Sequence, residues 1–307
     1  MSANDTAAEG MGEAEALRAG RRRAILAILA SAGMFAIAAA CVKALDGAIP
    51  LAQLVLVRSL LALPVLLPLM PAAGGWRALR TRNPLGHALR TIFGLTGMVT
   101  VFYGYTQLPL ANVTALGFTM PLFLTILAVP LLGERVGWRR GLAVLVGFSG
   151  VLFMLGPLQA EGDDLIPTLV VLFGALTWAL AMITIRRLGA AGESSVTIVL
   201  WFALGCSGLS LFAAIPVWVW PAGWQWLLLL GVGIASAFGQ VLMTDAYRRG
   251  EPTLVAPFEY SGIAWTTLMG AVIWAEAPDG WDAVGILILI GSGLYIWWRE
   301  TQLGIRR

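Results

Sequence analysis

Charge is what this chain has least of: 12% of its 307 residues are Asp, Glu, Lys or Arg, about half the share carried by ordinary soluble domains. Such a chain cannot clothe a soluble surface of its own size. Histidine is scarcer still, with His87 alone, and the two cysteines, Cys41 and Cys206, stand in apolar stretches without metal-ligand spacing. Those absences exclude a Cys/His metal centre and a disulfide framework, and they leave each cysteine as a small packing residue. No phosphate-binding glycine loop occurs, so neither a bound nucleotide nor any other cofactor is expected. No paired carboxylates stand near His87, which removes the acid/base groups a membrane enzyme would need. A channel or a non-transporting receptor is not removed by this argument.

What the chain has instead is 59% apolar residues and a mean hydropathy of +0.82. About 20 predominantly apolar residues carry a helix across a hydrocarbon core of roughly 30 Å. Ten stretches approach that length, at about 24–42, 51–70, 86–106, 112–132, 139–156, 166–185, 196–219, 225–247, 253–275 and 281–298. They are continuous rather than alternating, which predicts helices and not a barrel. Residues 1–23 are polar and Ala/Glu-rich and are expected to form a disordered cytoplasmic tail. Arg21-Arg22-Arg23 ahead of an apolar run ending Ala38-Ala39-Ala40-Cys41 resembles an export signal. Cleavage there would remove a helix whose counterpart, 166–185, persists in the second half.

The ten stretches divide into two copies of one pattern. Tyr105-Thr106-Gln107-Leu108-Pro109 leads into an apolar run ending Gly133-Glu134, and Tyr247 through Pro252 leads into one ending Ala275-Glu276. A Trp follows each Glu, as Trp138 and Trp281, and then Ser149-Gly150 or Ser292-Gly293. At an offset of 143, Phe35 aligns with Trp178 and Lys43 with Arg186. The fold expected is therefore an all-α membrane protein of ten transmembrane helices arranged as two five-helix repeats, 24–156 and 166–298, followed by a cytoplasmic tail at 299–307. Five crossings is an odd number, so the second repeat enters from the opposite side and the repeats are inverted. Inverted repeats let one pattern build both an outward and an inward gate around a central site.

Orientation follows from the basic residues. With the N-terminus inside, all 20 Lys and Arg except Lys43 and Arg58 fall on the cytoplasmic side, the bias that fixes topology. The pI near 9.2 is then a topology signal. Nucleic acid is not an expected partner, because the basic residues are spread one loop at a time rather than gathered in a patch. The partners expected are a small-molecule substrate and membrane lipids; oligomeric state is not legible.

Several of these segments carry a family resemblance. The run from Arg90 to Met154, with Tyr103-Gly104-Tyr105, Leu108-Pro109-Leu110-Ala111 and Gly133-Glu134-Arg135, resembles the EamA-type domain of the drug/metabolite transporter superfamily, and the second half resembles it more loosely, with Ala275 in place of Gly and Pro278-Asp279 in the turn. The resemblance implies ten helices, a cavity lined mainly by spans 1–4 and 6–9, and peripheral packing of spans 5 and 10. It also implies transport of small organic compounds, a class that ranges from amino acids to riboflavin-like molecules and metallophores.

Charges inside a bilayer are costly and mark function by default. Arg58, about seven residues into span 2 and roughly 10 Å deep, suits a carboxylate or phosphate by paired hydrogen bonds. Arg90 in span 3 and Glu259 in span 9 lie at matching depth and could form a gate across the two halves, or Glu259 could carry a proton in exchange for substrate. Phe35 and Trp178 are expected on opposite walls of one cavity, supplemented by Tyr103, Phe118, Tyr260 and Trp265. Pro121 is expected to kink span 4. Glycines such as Gly147, Gly150 and Gly285 are expected to bring spans 5 and 10 close together. Lys43, Glu134 and Glu276 are expected at helix ends, with Lys43 favoured there by the helix dipole. The function expected is secondary transport, with no enzymatic activity, of an amino acid or amino-acid-derived metabolite across the inner membrane by alternating access, in the direction of export. Transport of a larger aromatic such as riboflavin, or of an opine-type metallophore, is the alternative.

Overall fold

The structure is a computed structural model that describes residues 3–71, 75–132, 137–155, 165–249 and 258–302. Eleven α-helices follow one another among the described residues, and no strand occurs there. They are α1 Ala3–Ala44, α2 Leu51–Leu66, α3 Pro84–Gln107, α4 Leu110–Gly117, α5 Met120–Leu132, α6 Trp138–Leu155, α7 Leu165–Ala190, α8 Ser195–Ala214, α9 Gly223–Arg249, α10 Ser261–Trp274 and α11 Gly280–Gln302. Side chains such as Phe212, Val272 and Leu227 are 77%, 75% and 71% exposed, which suits a surface facing lipid.

Proline accounts for most departures from the expected bounds, since it lacks the N–H that an uninterrupted helix needs. Span 2 stops being α-helical at Leu66 and tightens into a 3₁₀ turn over Leu67–Leu69, around Pro68. Span 7 ends at Ala214, with Pro216 in the 3₁₀ turn that follows. Span 4 breaks one turn earlier than a simple kink at Pro121 would place it. Here α4 ends at Gly117 and α5 begins at Met120, with the Leu122 and Phe123 amides both bonded to the Thr119 carbonyl. The second residue of α5 is Pro121 itself, where its missing N–H costs nothing. Residues expected in the tail are helical from Ala3 onward, and Ala and Glu are strong helix formers.

Among the described residues seven spans are long and apolar enough to cross a membrane, one of them, Leu110–Leu127, running through α4 into α5, where the sequence suggested ten. The other three candidates are shorter apolar helices, Leu51–Leu66, Gly141–Met154 and Ser261–Trp274. At 16 residues α2 is roughly 24 Å long, short of a 30 Å core. Span 9 was expected from residue 253, but 250–257 lie outside the described residues.

Packing repeats in the two halves. Helix α1 lies along α9, and α3 along α7; α2 meets α8, and α6 meets α11; α10 packs on α1 and α4, and α7 on α5 and α4. Exchanging each helix of the first half for its counterpart in the second leaves these main pairings unchanged. The atoms agree. Where α3 crosses α7, a Cβ on Gly97 would stand 3.1 Å from the Gly174 carbonyl. In the counterpart crossing of α1 and α9, the Ser31 hydroxyl donates to the Gly239 carbonyl at 2.7 Å. Ser31 and Gly174 are 143 positions apart and Gly97 and Gly239 are 142 apart, the spacing of the sequence duplication. Between α6 and α11, a Cβ on Gly150 would fall 2.7 Å from the Gly285 carbonyl.

Candidate functional site

Two breaks in the helices meet each other. Phe118 caps α4 at the interruption of span 4, and Tyr260 precedes α10. Their rings pack at 4.6 Å between centroids. They are 142 positions apart, so each is the repeat counterpart of the other, and a residue that touches its own counterpart lies where the two halves cross. The Ser261 hydroxyl beside them is buried and unbonded. Interrupted helices of this kind are where transporters commonly place binding groups.

A second cluster lies between α2, α3 and α8. Arg90, Gly94, Met98 and Phe102 recur at every fourth residue of α3 and so share one face, while Phe202 and Cys206 do the same on α8. The Arg90 guanidinium lies over Gly94, whose missing Cβ makes room for it, and stacks 3.9 Å from the centre of the Phe202 ring. One turn along α3, Arg58 from α2 points its Nη1 at the Met98 sulfur at 2.8 Å and lies 6.0 Å from the Phe102 ring centre. Both guanidinium groups are in electrostatic reach of Cys206, and of each other. Two positive charges held in one low-dielectric cluster repel each other. Stacking on a ring returns on the order of 1 kcal/mol, and a thioether is a weak acceptor. Arg58 Nε and Arg90 Nε and Nη1 are buried with no hydrogen-bond partner.

The expected pair between Arg90 and Glu259 is not formed. Arg90 reaches along its own helix to Phe202, and no carboxylate pairs with it among the described residues. Phe35 does not face Trp178 either: its ring lies against the backbone of Gly239 and closes the contact between α1 and α9. Trp178 is 40% exposed and meets Gly97 through its backbone nitrogen, and the ring of Trp265, 39% exposed, lies across Gly33. Tyr103, half-buried on α3, makes no ring contact among the described residues. Asn112 serves as a tie, donating to Asp282 at 2.9 Å and fixing α4 to the start of α11.

At the end of the bundle away from the basic loops, a cleft of about 550 Å³ is lined by Lys43, Asp46, Gln107, Trp274 and Glu276, among others. Lys43 Nζ pairs with Glu276 at 2.8 Å and donates to the Leu108 carbonyl at 3.0 Å, next to the Trp274 ring. Sequence reasoning placed both residues at helix ends and missed that they join each other across the two halves. The signal was present, since Lys43 is a basic residue on the side that otherwise lacks them and Glu276 is an acid in an apolar context. Glu134, the counterpart of Glu276, lies outside the described residues.

A bundle of apolar helices, with seven spans among the described residues long and apolar enough to cross a membrane, has the makings of a multi-pass membrane protein. The chain belongs to the EamA-like transporter family, whose pattern matches residues 22–156 and again 165–298. It is therefore a membrane transporter and not an enzyme. Similar proteins include the S-adenosylmethionine uptake transporter of Rickettsia prowazekii, 30% identical over 78% of this chain and 80% of that one. The riboflavin transporter of Vibrio cholerae is 30% identical over 83% and 85%. The pseudopaline exporter CntI of Pseudomonas aeruginosa is 31% identical over 87% and 93%. A crystal structure of a protein 22% identical in sequence superposes with a TM-score of 0.63, covering 92% of this chain and 98% of that chain, a likeness of fold.

Proposed function

We propose that this protein is a secondary carrier that moves an amino-acid-derived metabolite across the inner membrane by alternating access. Its ten spans form two inverted halves, 24–156 and 166–298, with both termini cytoplasmic. The observation that carries this reading is the exchange of helix pairings between the halves, with Phe118 and Tyr260 in contact where they cross. In such an arrangement a closed end on one face has a counterpart able to open on the other. The Lys43–Glu276 pair is the closure at the outer end, because it ties α1 of the first half to the segment joining α10 and α11 of the second.

Relatives named for S-adenosylmethionine uptake and for pseudopaline export support a small organic solute and run in opposite directions. Without a nucleotide-binding loop, the energy comes from a gradient or from exchange. Counterflow in proteoliposomes tests the proposal, with labelled S-adenosylmethionine, methionine and riboflavin assayed in both orientations. A carrier gives saturable uptake of label against unlabelled internal solute. Unsaturable flux that ignores internal solute would identify a channel and end this reading.

A further inference from the structure

Two half-buried arginines of one cluster, with no acidic counter-ion among the described residues, keep three donor nitrogens, Arg58 Nε and Arg90 Nε and Nη1, buried and without a hydrogen-bond partner. Each is held in place by contacts that do not neutralise it: Arg90 rests on Phe202 over Gly94, and Arg58 rests on Phe102 and the Met98 sulfur. Neither has an acidic partner among the described residues, although acidic groups elsewhere are engaged, as Glu276 is by Lys43 and Glu193 by Thr81. Unpaired charge and unsatisfied donors within an apolar span are expensive, and no acid among the described residues relieves them. The repeat offers no explanation, because the counterpart of Arg58 at offset 143 is Trp201 and that of Arg90, at the offset of 142 that relates α3 to α9, is Val232. This is a feature of one half only.

We propose that Arg58 and Arg90 together form an anion subsite between α2, α3 and α8 that receives a carboxylate of the transported solute. A carboxylate offers four lone-pair positions to the three open donors, and guanidinium groups bind it in a fixed planar geometry that an ammonium cannot copy. Phe202 and Phe102 orient the two forks and keep water off their faces. The solute is thus an organic acid or zwitterion with a free carboxylate, and a neutral ring compound of the flavin type is disfavoured. The inference rests on the carrier reading for the identity of its occupant, although binding itself does not require transport.

The test uses purified full-length protein and solutes in matched pairs that differ by one carboxylate: S-adenosylmethionine with its decarboxylated form, methionine with methioninamide, and butyrate with butyramide. Thermal shifts are recorded for the native protein and for Arg58→Lys, Arg58→Gln, Arg90→Lys and Arg90→Gln. At least one carboxylate is expected to stabilise the native protein where its partner does not, with affinity at least tenfold weaker in each Gln variant and intermediate in each Lys variant. The Lys variants keep the buried charge, so they report on recognition even where a Gln variant fails to fold. The subsite is refuted if no carboxylate shifts the native protein, or if the variants that fold bind carboxylates as tightly as it does. Counterflow with the same solutes separates the two readings. Arginine-dependent binding without saturable exchange would refute the carrier and keep the subsite, whereas saturable exchange indifferent to both arginines would do the reverse.

Discussion

Glu193, in the turn between α7 and α8, is the acid outside the spans whose surroundings act on it most clearly. The Thr81 hydroxyl donates to its carboxylate, and this bond holds the group below its ordinary value of 4.5, with the Arg82 amide and His87 adding to the effect against the opposing influence of burial. Thr81 also accepts from the Asn83 amide at 2.9 Å, and Asn83 in turn caps α3 through the Gly86 amide at 3.0 Å. Loops of the two halves are thereby tied together. A carboxylate depressed in the folded state stabilises above its unfolded value, and that contribution is lost as pH falls through the folded value. Melting temperature in detergent should therefore drop from about pH 4.5 downward, and Glu193→Gln should flatten the drop. Parallel profiles for the two proteins would show that the carboxylate contributes nothing. Thr81→Val should cost roughly 1.5 to 3 kcal/mol at neutral pH, the range for a hydrogen bond to a charged group. None of this was legible in the sequence, because Thr81 and Glu193 are 112 positions apart and neither belongs to a repeating pattern. Arg58 and Arg90 were legible as charges in apolar runs, while their platforms were not, since Phe202 looks like any other phenylalanine in a membrane helix.

Among the helices, glycine decides how closely α6 and α11 approach. A Cβ on Gly150 would meet the Gly285 carbonyl at 2.7 Å, whereas one on Gly141, on the same helix, would meet nothing within 4 Å. Gly150→Ala should thus destabilise by about 1 to 3 kcal/mol through overpacking, while Gly141→Ala should be neutral or better, since alanine favours helix by up to about 1 kcal/mol. Equal melting temperatures for the two variants would contradict the close crossing. The Lys43–Glu276 pair makes a different kind of prediction. As the outer closure, it should hold one face shut for part of each cycle. Lys43→Gln and Glu276→Gln are each expected to slow counterflow several-fold, and the exchange Lys43→Glu with Glu276→Lys is expected to recover most of the rate. Single variants that transport at the native rate would leave the pair as a static tie. The existence and order of the helices were legible because apolar periodicity and turn residues report them directly. The break before Pro121 was legible only in kind, as a kink, because the choice between bending and stopping depends on how Phe118 packs against Tyr260.

For the molecule as a whole, the duplication and the distribution of charge were legible, and the number of full-length crossings was not. Arg58 and Arg90 escape the symmetry that governs the helix pairings, so a common frame carries one asymmetric charged cluster. That frame makes a demand on topology. If the halves are inverted, positions related by the repeat must lie on opposite sides of the membrane, while both ends of the chain share one side. Only Cys41 and Cys206 need replacing by alanine to give a background without thiols. Into it, single cysteines can be placed at Asp46 in the turn after α1 and at its repeat counterpart Gly189 in the last turn of α7, and at Trp220 and Arg299. In intact cells a membrane-impermeant maleimide should label positions 46 and 220, and positions 189 and 299 should react only after the membrane is opened. Labelling of 46 and 189 from the same side would make the repeats parallel. The two halves could not then exchange roles between inward and outward states, and the carrier reading would lose the symmetry on which it depends.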